Sequence, residues 1–282
     1  MKYQSMNHQW HWQTWQDRSY LCCNLLSAWQ HGFFTAEFYP QTPEDLTQII
    51  WSQTSAFRVK QVHGNEVLSP SEIATIVNQE NYDRTLAEAD AVVSDRYGQS
   101  VWVASADCTP LLIGDRVTGQ VAAIHAGWRG TAQKIVSQAI ARFLKSGSNK
   151  ADLRIAIGPA ISGAMYQVDQ TVAVEVGKSL IADAEQKNAG EILAELKEMP
   201  ATPILPDKLP GKLRLDVPRV NQIQLEQLGI NSTQIAIAPY CTYQSKISNE
   251  LSQPELANYS YRFFSYRRTG AKKVQWSGIV SQ

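Results

Sequence analysis

The 282-residue sequence lacks an excess of charge of either sign, because lysine plus arginine and aspartate plus glutamate each total 26. A chain without net charge offers no electrostatic basis for binding nucleic acid or an anionic membrane surface. The sequence also lacks an apolar run of about 18 residues, and its polar, aromatic N-terminus has no hydrophobic segment of the signal-peptide kind. We therefore expect no nucleic acid polymer and no membrane among its partners, and a cytoplasmic location.

Cysteine and histidine are scarce, with four and five residues respectively. Cys22 and Cys23 are adjacent, whereas Cys108 and Cys241 lie far apart in the chain. This pattern fits no disulfide framework and favours a reducing compartment. Five histidines are also too few to supply the several histidine-rich copper sites of a multicopper oxidase.

Hydrophobic residues make up 44% of the chain, which is enough to bury a full core. Short apolar runs and amphipathic stretches predict strands over residues 31–35, 57–62, 89–95, 153–157 and 234–239, and helices over residues 44–52 and 216–228 with two more between residues 168 and 199. Five prolines between residues 199 and 218 interrupt regular structure. We interpret that segment as a long surface connection, because the chain beyond it is too short to form an independent domain.

The central stretch, VWVASADCTPLLIGDRVTGQVAAIHAGWRGT, combines buried strands with reactive side chains. Its apolar, β-branched runs predict strands over residues 101–106 and 120–124. The first strand leads into Asp107 and Cys108, and the second leads into His125. Strand-end positions of this kind are where α/β proteins place ligands.

A glycine-containing turn over residues 127–131 joins the second of these strands to a predicted helix that Gly147 ends. Backbone N–H groups at a helix start and the guanidinium of Arg129 can together hold a phosphate or carboxylate. Arg267 and Arg268 are a second candidate anion clamp, or a solvated basic pair.

His63, Cys108 and His125 all lie at predicted strand ends, where sequence-distant side chains can meet at one sheet edge. Two imidazoles and one thiolate suit zinc, with copper as a competitor, and leave a fourth coordination position open. The spacing carries no established metal motif. The same atoms also permit chemistry without a metal, with Cys108 as nucleophile and a histidine as its base. Asp107 can act as a base in either mechanism, can orient a histidine, or can simply cap a strand end.

The sequence resembles the laccase-domain proteins, once called multicopper polyphenol oxidases and now described as purine nucleoside phosphorylases with adenosine deaminase activity. The matching segments appear in the family's order and span almost the whole chain. They are HGFFT (31–35), KQVHGNEV (60–67), ADAVVSD (89–95), SADCTPLLIGD (105–115), AAIHAGWRGT (122–131), IGPAIS (157–162) with Tyr166, LDVPRVNQIQLEQLGI (215–230), CT (241–242) and SYRR (265–268).

This resemblance implies that His63, Cys108 and His125 bind one catalytic zinc. It implies a single domain over residues 1–282, with sheets and helices in a layered α/β arrangement related to cysteine deamidase toxins. The implied activity is phosphorolysis of adenosine, inosine and 5′-methylthioadenosine, together with deamination of adenosine. Purine nucleosides and inorganic phosphate are then the partners, and Asp107, Cys108 and Arg129 are the candidate catalytic residues.

Three departures from the family pattern affect the rim of the expected pocket. Ala36 follows the first motif where an arginine is usual, Gln167 replaces a glutamate after Tyr166, and Thr269 replaces an aspartate after SYRR. A metal-free Cys/His hydrolase or deamidase, a copper-dependent polyphenol oxidase and a metal-stabilised binding module remain as alternatives.

Overall fold

A computed structural model describes residues 9–52, 54–79, 86–247 and 261–282. The strands, in chain order, are β1 Trp10–Trp15, β2 Arg18–Cys23, β3 His31–Phe34, β4 Ser55–Phe57, β5 Val67–Leu68, β6 Ala91–Val93, β7 Gln99–Ser105, β8 Thr109–Asp115, β9 Val121–Ala126, β10 Leu153–Ile157, β11 Gln167–Asp169, β12 Ile204–Pro206, β13 Lys212–Leu215, β14 Ile235–Ile237 and β15 Gln275–Val280. The helices are α1 Pro43–Ile50, α2 Pro70–Gln79, α3 Trp128–Ala132, α4 Ile135–Lys145, α5 Gln170–Lys178, α6 Ala189–Glu198, α7 Val217–Gln227 and α8 Tyr266–Thr269.

Within these described ranges the strands form three sheets. The first sheet has the order β1-β2-β3-β15-β7-β4, and the second has the order β14-β10-β8-β9-β6-β5. The third sheet is smaller, with the order β11-β13-β12. Consecutive strands β7 and β8 belong to different large sheets, so the chain passes from one sheet to the other between them.

The two large sheets pack face to face, as the alternation of side chains along β7 shows. Val101 and Val103 lie in the core between the sheets, together with Val121 and Ala123 of β9. Trp102 points the other way and packs in a cluster with residues of α1. Because successive residues of a strand face opposite sides, one apolar run serves two cores.

Helices cover the outer faces of this sandwich. The second sheet packs against α4 and the end of α7 through a cluster that includes Ile124, Phe143 and Leu225. The result is four layers, helix, sheet, sheet and helix, which confirms the predicted class of mixed α/β fold with layered sheets and packed helices. None of the helices in the described ranges is long and apolar enough to cross a bilayer.

Trp102 illustrates how tightly the first sheet is packed. Its side chain is fully buried, and its indole N–H donates to the hydroxyls of Thr47 (2.9 Å) and Ser100 (2.6 Å). Opposite it in β15, a Cβ added to Gly278 would lie only 2.3 Å from the indole. The Trp102 side chain therefore requires a glycine at position 278. Truncating Trp102 to alanine should lower the free energy of unfolding by about 3–5 kcal/mol.

The third sheet corrects the prediction for residues 199–218, which are not an irregular connection. Strands β12 and β13 lie in this segment and pair with each other and with β11. The prolines fit this structure because Pro206 ends an edge strand and Pro218 lies in the first turn of α7, positions where a missing N–H is tolerated. The third sheet shares its core with α5, α6 and α7.

Two further predictions need correction near the central stretch. The predicted helix after residue 131 is two helices, α3 and α4, separated at Lys134, whose φ is +58°. The predicted strand over residues 57–62 is a strand only as far as Phe57, and the following residues form a loop. Other elements match, since β10 has the predicted bounds and the Asp216 carboxylate accepts from Arg219 N to cap α7.

Candidate metal centre

Three side chains from separate parts of the chain meet at one edge of the sandwich. His63 lies in the loop between β4 and β5, Cys108 lies in the β7–β8 connection, and His125 lies in β9. Antiparallel pairing of β8 with β9 places His125 opposite Pro110, two residues after the cysteine. The ligand atoms of the three side chains all lie within 4.8 Å of one another.

His125 is held by a buried carboxylate that the sequence analysis did not assign. The residue is 3% exposed, and its Nδ1 lies 2.8 Å from Oδ1 of Asp90, which is fully buried. The backbone N–H of His125 also donates to the carbonyl of Asp90 (2.8 Å). With Nδ1 engaged in this way, Nε2 is the nitrogen available to a metal, as in carboxylate–histidine–zinc arrangements.

The same carboxylate organises the loop that carries His63. Oδ1 of Asp90 accepts the N–H of His63 (2.9 Å), and Oδ2 accepts those of Gly64 (2.6 Å) and Val62 (3.2 Å). His63 has a φ of +62°, a left-handed conformation that costs free energy for a residue other than glycine. Three hydrogen bonds to one buried carboxylate offset that cost. The imidazole rings of His63 and His125 are nearly perpendicular, with centroids 4.9 Å apart.

The cysteine and the buried histidine shift each other's pKa in opposite directions. Burial raises the pKa of the Cys108 thiol, but hydrogen bonds and positive charge from His125 and His63 outweigh it and lower that pKa to about 6. Burial lowers the pKa of His125, but the carboxylate of Asp90 and the sulfur of Cys108 outweigh it and raise that pKa to about 9. The site therefore favours the thiolate, which is the form that binds metals.

Gly127 leaves the space between the three side chains open. A Cβ added there would lie 3.1 Å from both Cys108 Sγ and His63 Cδ2, and 3.7 Å from His125 Cε1. Tetrahedral zinc, with bonds of about 2.0–2.3 Å to nitrogen and sulfur, separates its ligand atoms by about 3.3–3.6 Å. Two imidazoles and a thiolate within 4.8 Å fit such an ion with one coordination position left open.

Two cavities of different size reach Cys108. A cleft of ≈ 340 Å³ is lined by all three candidate ligands and, beyond them, by Lys272 and Trp276. A second cavity of ≈ 40 Å³ is lined by Asp107, Cys108, Ala126, Gly127, Trp128, Ile161, Tyr166 and Val217. The site is thus open to a nucleoside-sized space and, separately, to a much smaller one.

Asp107 lies beside the ligand cluster but has partners other than a histidine. Its carboxylate accepts hydrogen bonds from the hydroxyls of Thr242 (2.6 Å) and Ser265 (3.0 Å) and from the backbone N–H of Arg267 (2.7 Å). The histidine-orienting role that the sequence analysis allowed for Asp107 belongs to Asp90. The sequence did carry a signal for Asp90, which is a carboxylate at the start of the apolar run ADAVV. An acidic residue is rarely fully buried without a specific partner.

The predicted anion-binding arginines separate into two kinds. Arg129 is exposed, with its guanidinium 4.4 Å from the centroid of the Trp128 ring. Arg267 is exposed and lies 4.8 Å from the centroid of the Tyr166 ring. Arg268 instead donates to three backbone carbonyls, those of Thr242, Tyr243 and Phe263. The sequence-adjacent pair is therefore not one clamp, since Arg268 fastens the chain to itself.

The three departures from the family pattern have ordinary structural partners. Ala36 is buried, and its N–H donates to the carbonyl of Arg262. Gln167 donates to Asp207 (2.9 Å), and its carbonyl accepts from Arg267 (2.8 Å). The hydroxyl of Thr269 donates to the carbonyl of Ser265 within α8.

A set of several copper sites has no counterpart in the described part of the chain. His31 uses both ring nitrogens on backbone groups, and His11 lies on β1 with Gln13 as its side-chain partner. His8 lies outside the described residues. Among those that are described, His63, Cys108 and His125 form the only group of three or more such side chains close enough to share an ion.

Comparison with known proteins places this chain in a family. The chain is 50% identical over 272 residues to a purine nucleoside phosphorylase of Synechocystis sp., covering 96% of this chain and 97% of that one. It is 31% identical over 222 residues to a purine nucleoside phosphorylase of Bacteroides thetaiotaomicron, covering 78% and 71% of the two chains.

Solved structures share the fold at low sequence identity. YlmD from Geobacillus stearothermophilus superposes with a TM-score of 0.73 at 22% identity, over 96% of this chain and 98% of that one. A hypothetical protein YfiH of Bacillus licheniformis gives a TM-score of 0.70 at 23% identity, over 93% and 96%. A family model described as multi-copper polyphenol oxidoreductase laccase matches residues 44–280. The chain therefore belongs to this laccase-type family, whose curated relatives include purine nucleoside phosphorylases.

Proposed function

We propose that the chain is a zinc-dependent purine nucleoside phosphorylase that acts on adenosine, inosine and 5′-methylthioadenosine and also deaminates adenosine. The observation that carries the proposal is the 50% identity to the Synechocystis phosphorylase, which extends over nearly the whole of both chains. The cluster of His63, Cys108 and His125 supports the metal, because its donor set and spacing suit zinc.

When bound, zinc supplies Lewis acidity toward an oxygen atom in the open position. The chain's own residues prepare that position. Asp90 orients the His125 ring through Nδ1 and holds the backbone of the His63 loop, so the His125 ring and the loop are positioned for a metal. Gly127 keeps the centre of the cluster free of side-chain atoms.

The cleft of ≈ 340 Å³ is the proposed nucleoside site. Its volume lies in the range of about 300–1,000 Å³ that small-molecule sites occupy. Trp276 and Tyr266 line it and offer aromatic faces on which a purine can stack. Because His63 and His125 line the same cleft, a nucleoside held there lies against the metal centre.

For Asp107 we propose a positioning role. Its three hydrogen bonds join the residue before Cys108 to Thr242 and to the start of α8. An Asp107→Asn variant should keep the pH profile of kcat and lower activity through a less ordered site. Loss of one limb of that profile would instead identify the carboxylate as a proton-transfer group.

The two remaining general proposals concern location and domain structure. The four cysteines are unpaired, which supports the expected cytoplasmic compartment. The first sheet combines β1, β2 and β3 with β15, so the two ends of the chain share one core, which supports a single domain over residues 1–282.

The test is metal analysis of the purified protein combined with an adenosine assay that resolves adenine, inosine and hypoxanthine. Adenine that forms only when phosphate is present reports phosphorolysis, and inosine that forms without phosphate reports deamination. We expect one zinc per chain and both products, with both lost on chelation. Activity that survives metal removal but not thiol alkylation would favour the metal-free Cys108 hydrolase instead.

A further inference from the structure

We propose that Arg129 and Arg267 form a two-guanidinium clamp for inorganic phosphate, placed beside Trp128 and Tyr166 at a small cavity that shares Cys108 with the nucleoside cleft. This inference rests on the proposed function, because it assigns the second substrate of that reaction a place. It combines two arginines from distant parts of the chain and leaves out Arg268.

Each of the two guanidinium groups lies over an aromatic ring that lines the same small cavity. Trp128 and Tyr166 both line the ≈ 40 Å³ pocket beside Cys108. Arg129 lies over the ring of Trp128 and Arg267 over the ring of Tyr166. Stacking on an aromatic face holds each guanidinium next to a residue that lines the pocket and leaves N–H groups that can bind an oxyanion.

The environment of the Tyr166 phenol gives a second indication that both arginines are close. Burial and the negative charges of Cys108 and Asp107 raise its pKa to about 12, while the positive charges of Arg267 and Arg129 act in the opposite direction. Neither arginine forms an ion pair with a carboxylate in the described part of the structure. Two guanidinium groups that both act on one phenol can together bind an anion.

Two further hydrogen bonds hold Arg267 in place. Its backbone N–H donates to Asp107, and its Nη1 donates to the carbonyl of Gln167 (2.8 Å). These contacts use one of the five N–H donors of the guanidinium group, so others remain for a ligand. Asp107 thereby links the position of the clamp to that of the neighbouring Cys108.

The sizes of the two cavities indicate which substrate binds in each. A volume of ≈ 40 Å³ is enough for about three water molecules or one compact ion and is too small for a nucleoside. The cleft of ≈ 340 Å³, which shares Cys108 with the small cavity, takes the nucleoside. In the reaction a phosphate oxygen bonds to the anomeric carbon of the ribose, the bond from that carbon to the purine nitrogen breaks, and the purine leaves with the electron pair and the proton of the phosphate.

The experiment measures steady-state kinetics of Arg129→Met, Arg267→Met and Arg267→Lys, each loaded with zinc. We expect the KM for phosphate to rise about 10-fold to 100-fold in each methionine variant and less in Arg267→Lys. The KM for the nucleoside and the phosphate-independent deamination of adenosine should change less than about twofold. Thermal unfolding and metal content of each variant separate loss of binding from loss of structure.

Two control variants make the assignment specific. Arg96→Met removes the same charge from an exposed arginine that lines neither of the two cavities at Cys108, and should leave the KM for phosphate unchanged. Lys272→Met removes a charge from the nucleoside cleft. A rise in the KM for phosphate in Lys272→Met without a rise in the two arginine variants would overturn the clamp and place phosphate in the cleft.

Direct titration with inorganic phosphate separates this inference from the proposed function. A wild-type protein that binds phosphate, loses binding in Arg129→Met and yet cleaves no nucleoside would retain the clamp and refute the phosphorylase. A wild-type protein that cleaves adenosine in a phosphate-dependent way, with both arginine variants unchanged in KM for phosphate, would refute the clamp alone. Absence of phosphate binding by the zinc-loaded wild type would also overturn the clamp.

Discussion

Two buried histidines, one in each large sheet, show how similar positions acquire different chemistry. His31 in the first sheet is 6% exposed and His125 in the second is 3% exposed. His31 donates from Nδ1 to the carbonyl of Trp29 (2.8 Å) and accepts at Nε2 from the N–H of Cys23 (2.9 Å). Burial lowers the pKa of His31 to about 4, so it is neutral at physiological pH.

His125 differs because a carboxylate, and not a carbonyl, binds its Nδ1. Its second nitrogen is left for the thiolate and for a metal, and its pKa is raised to about 9 in spite of its burial. Burial alone therefore does not distinguish a structural histidine from a site histidine. The distinction lies in whether both ring nitrogens are already used by the backbone.

The largest expected effect on metal content and activity comes from mutating His125, with a mutation of His31 as the control. His125→Ala should lose most bound metal and lower kcat/KM by about 1,000-fold or more, because the Lewis acidity of the metal is worth several kcal/mol. His31→Gln should keep the metal, since both ring nitrogens of His31 bind backbone groups. Metal content and activity of the folded variants check this, and normal turnover by His125→Ala would refute the metal centre.

A smaller effect is expected when the carboxylate behind the histidine is neutralised. Asp90→Asn should weaken metal affinity about 10-fold to 100-fold, because it loses the charge that orients His125 and binds the His63 loop. Asp95→Asn, just past the other end of the adjoining strand β6, is the matched control and should keep the affinity. Competition with a chromophoric chelator measures the metal affinity of both variants. Equal affinities would show that Asp90 does not support the metal site.

A still smaller loss of metal affinity is expected when a side chain fills the space between the three ligands. Gly127→Ala should weaken metal binding about tenfold, because its Cβ meets Cys108 and His63 at 3.1 Å. Gly64→Ala lies in the loop that carries His63, and there the added Cβ meets neighbours only at 3.6 Å and 3.7 Å. That variant should bind metal normally, so equal losses in both would contradict the steric explanation.

The smallest effect concerns the pH dependence of stability that His31 contributes. Its pKa is lower in the folded protein than in the unfolded chain, so the unfolded chain takes up a proton first as the pH falls. The free energy of unfolding should fall by about 0.7 kcal/mol from pH 7 to pH 6 on this account. In metal-free protein, His31→Gln should remove that part of the slope. Identical slopes in the wild type and this variant would show that His31 is not the source.

The local features of the fold were largely predictable from the sequence. The strand Leu153–Ile157 and the cap that Asp216 forms on α7 follow from apolar runs and from a carboxylate before a helix, which are signals within a few residues. The pattern missed β8, whose apolar run TPLLIGD directly follows the cysteine. It also missed the break at Lys134, because helical spacing of apolar residues continues across it.

The candidate site was predictable as a set of residue types and not as a geometry. His63, Cys108 and His125 stood out as metal-ligand residues at predicted strand ends, and the structure brings them together although His63 lies in a loop. The partnership of Asp90 with two separate segments depends on strand register, which residue types do not encode. That Arg267 lies over Tyr166 while Arg268 binds backbone carbonyls depends on the path of α8 for the same reason.

The route of the chain through the sandwich has a consequence for folding. The segments that carry His63 and Cys108 each run from the first sheet to the second, from β4 to β5 and from β7 to β8. An ion bound by all three side chains would connect both crossovers to β9. Because only the assembled sandwich offers all three ligands, metal binding adds its free energy to the association of the two layers, and chelation should lower the melting temperature of the whole protein.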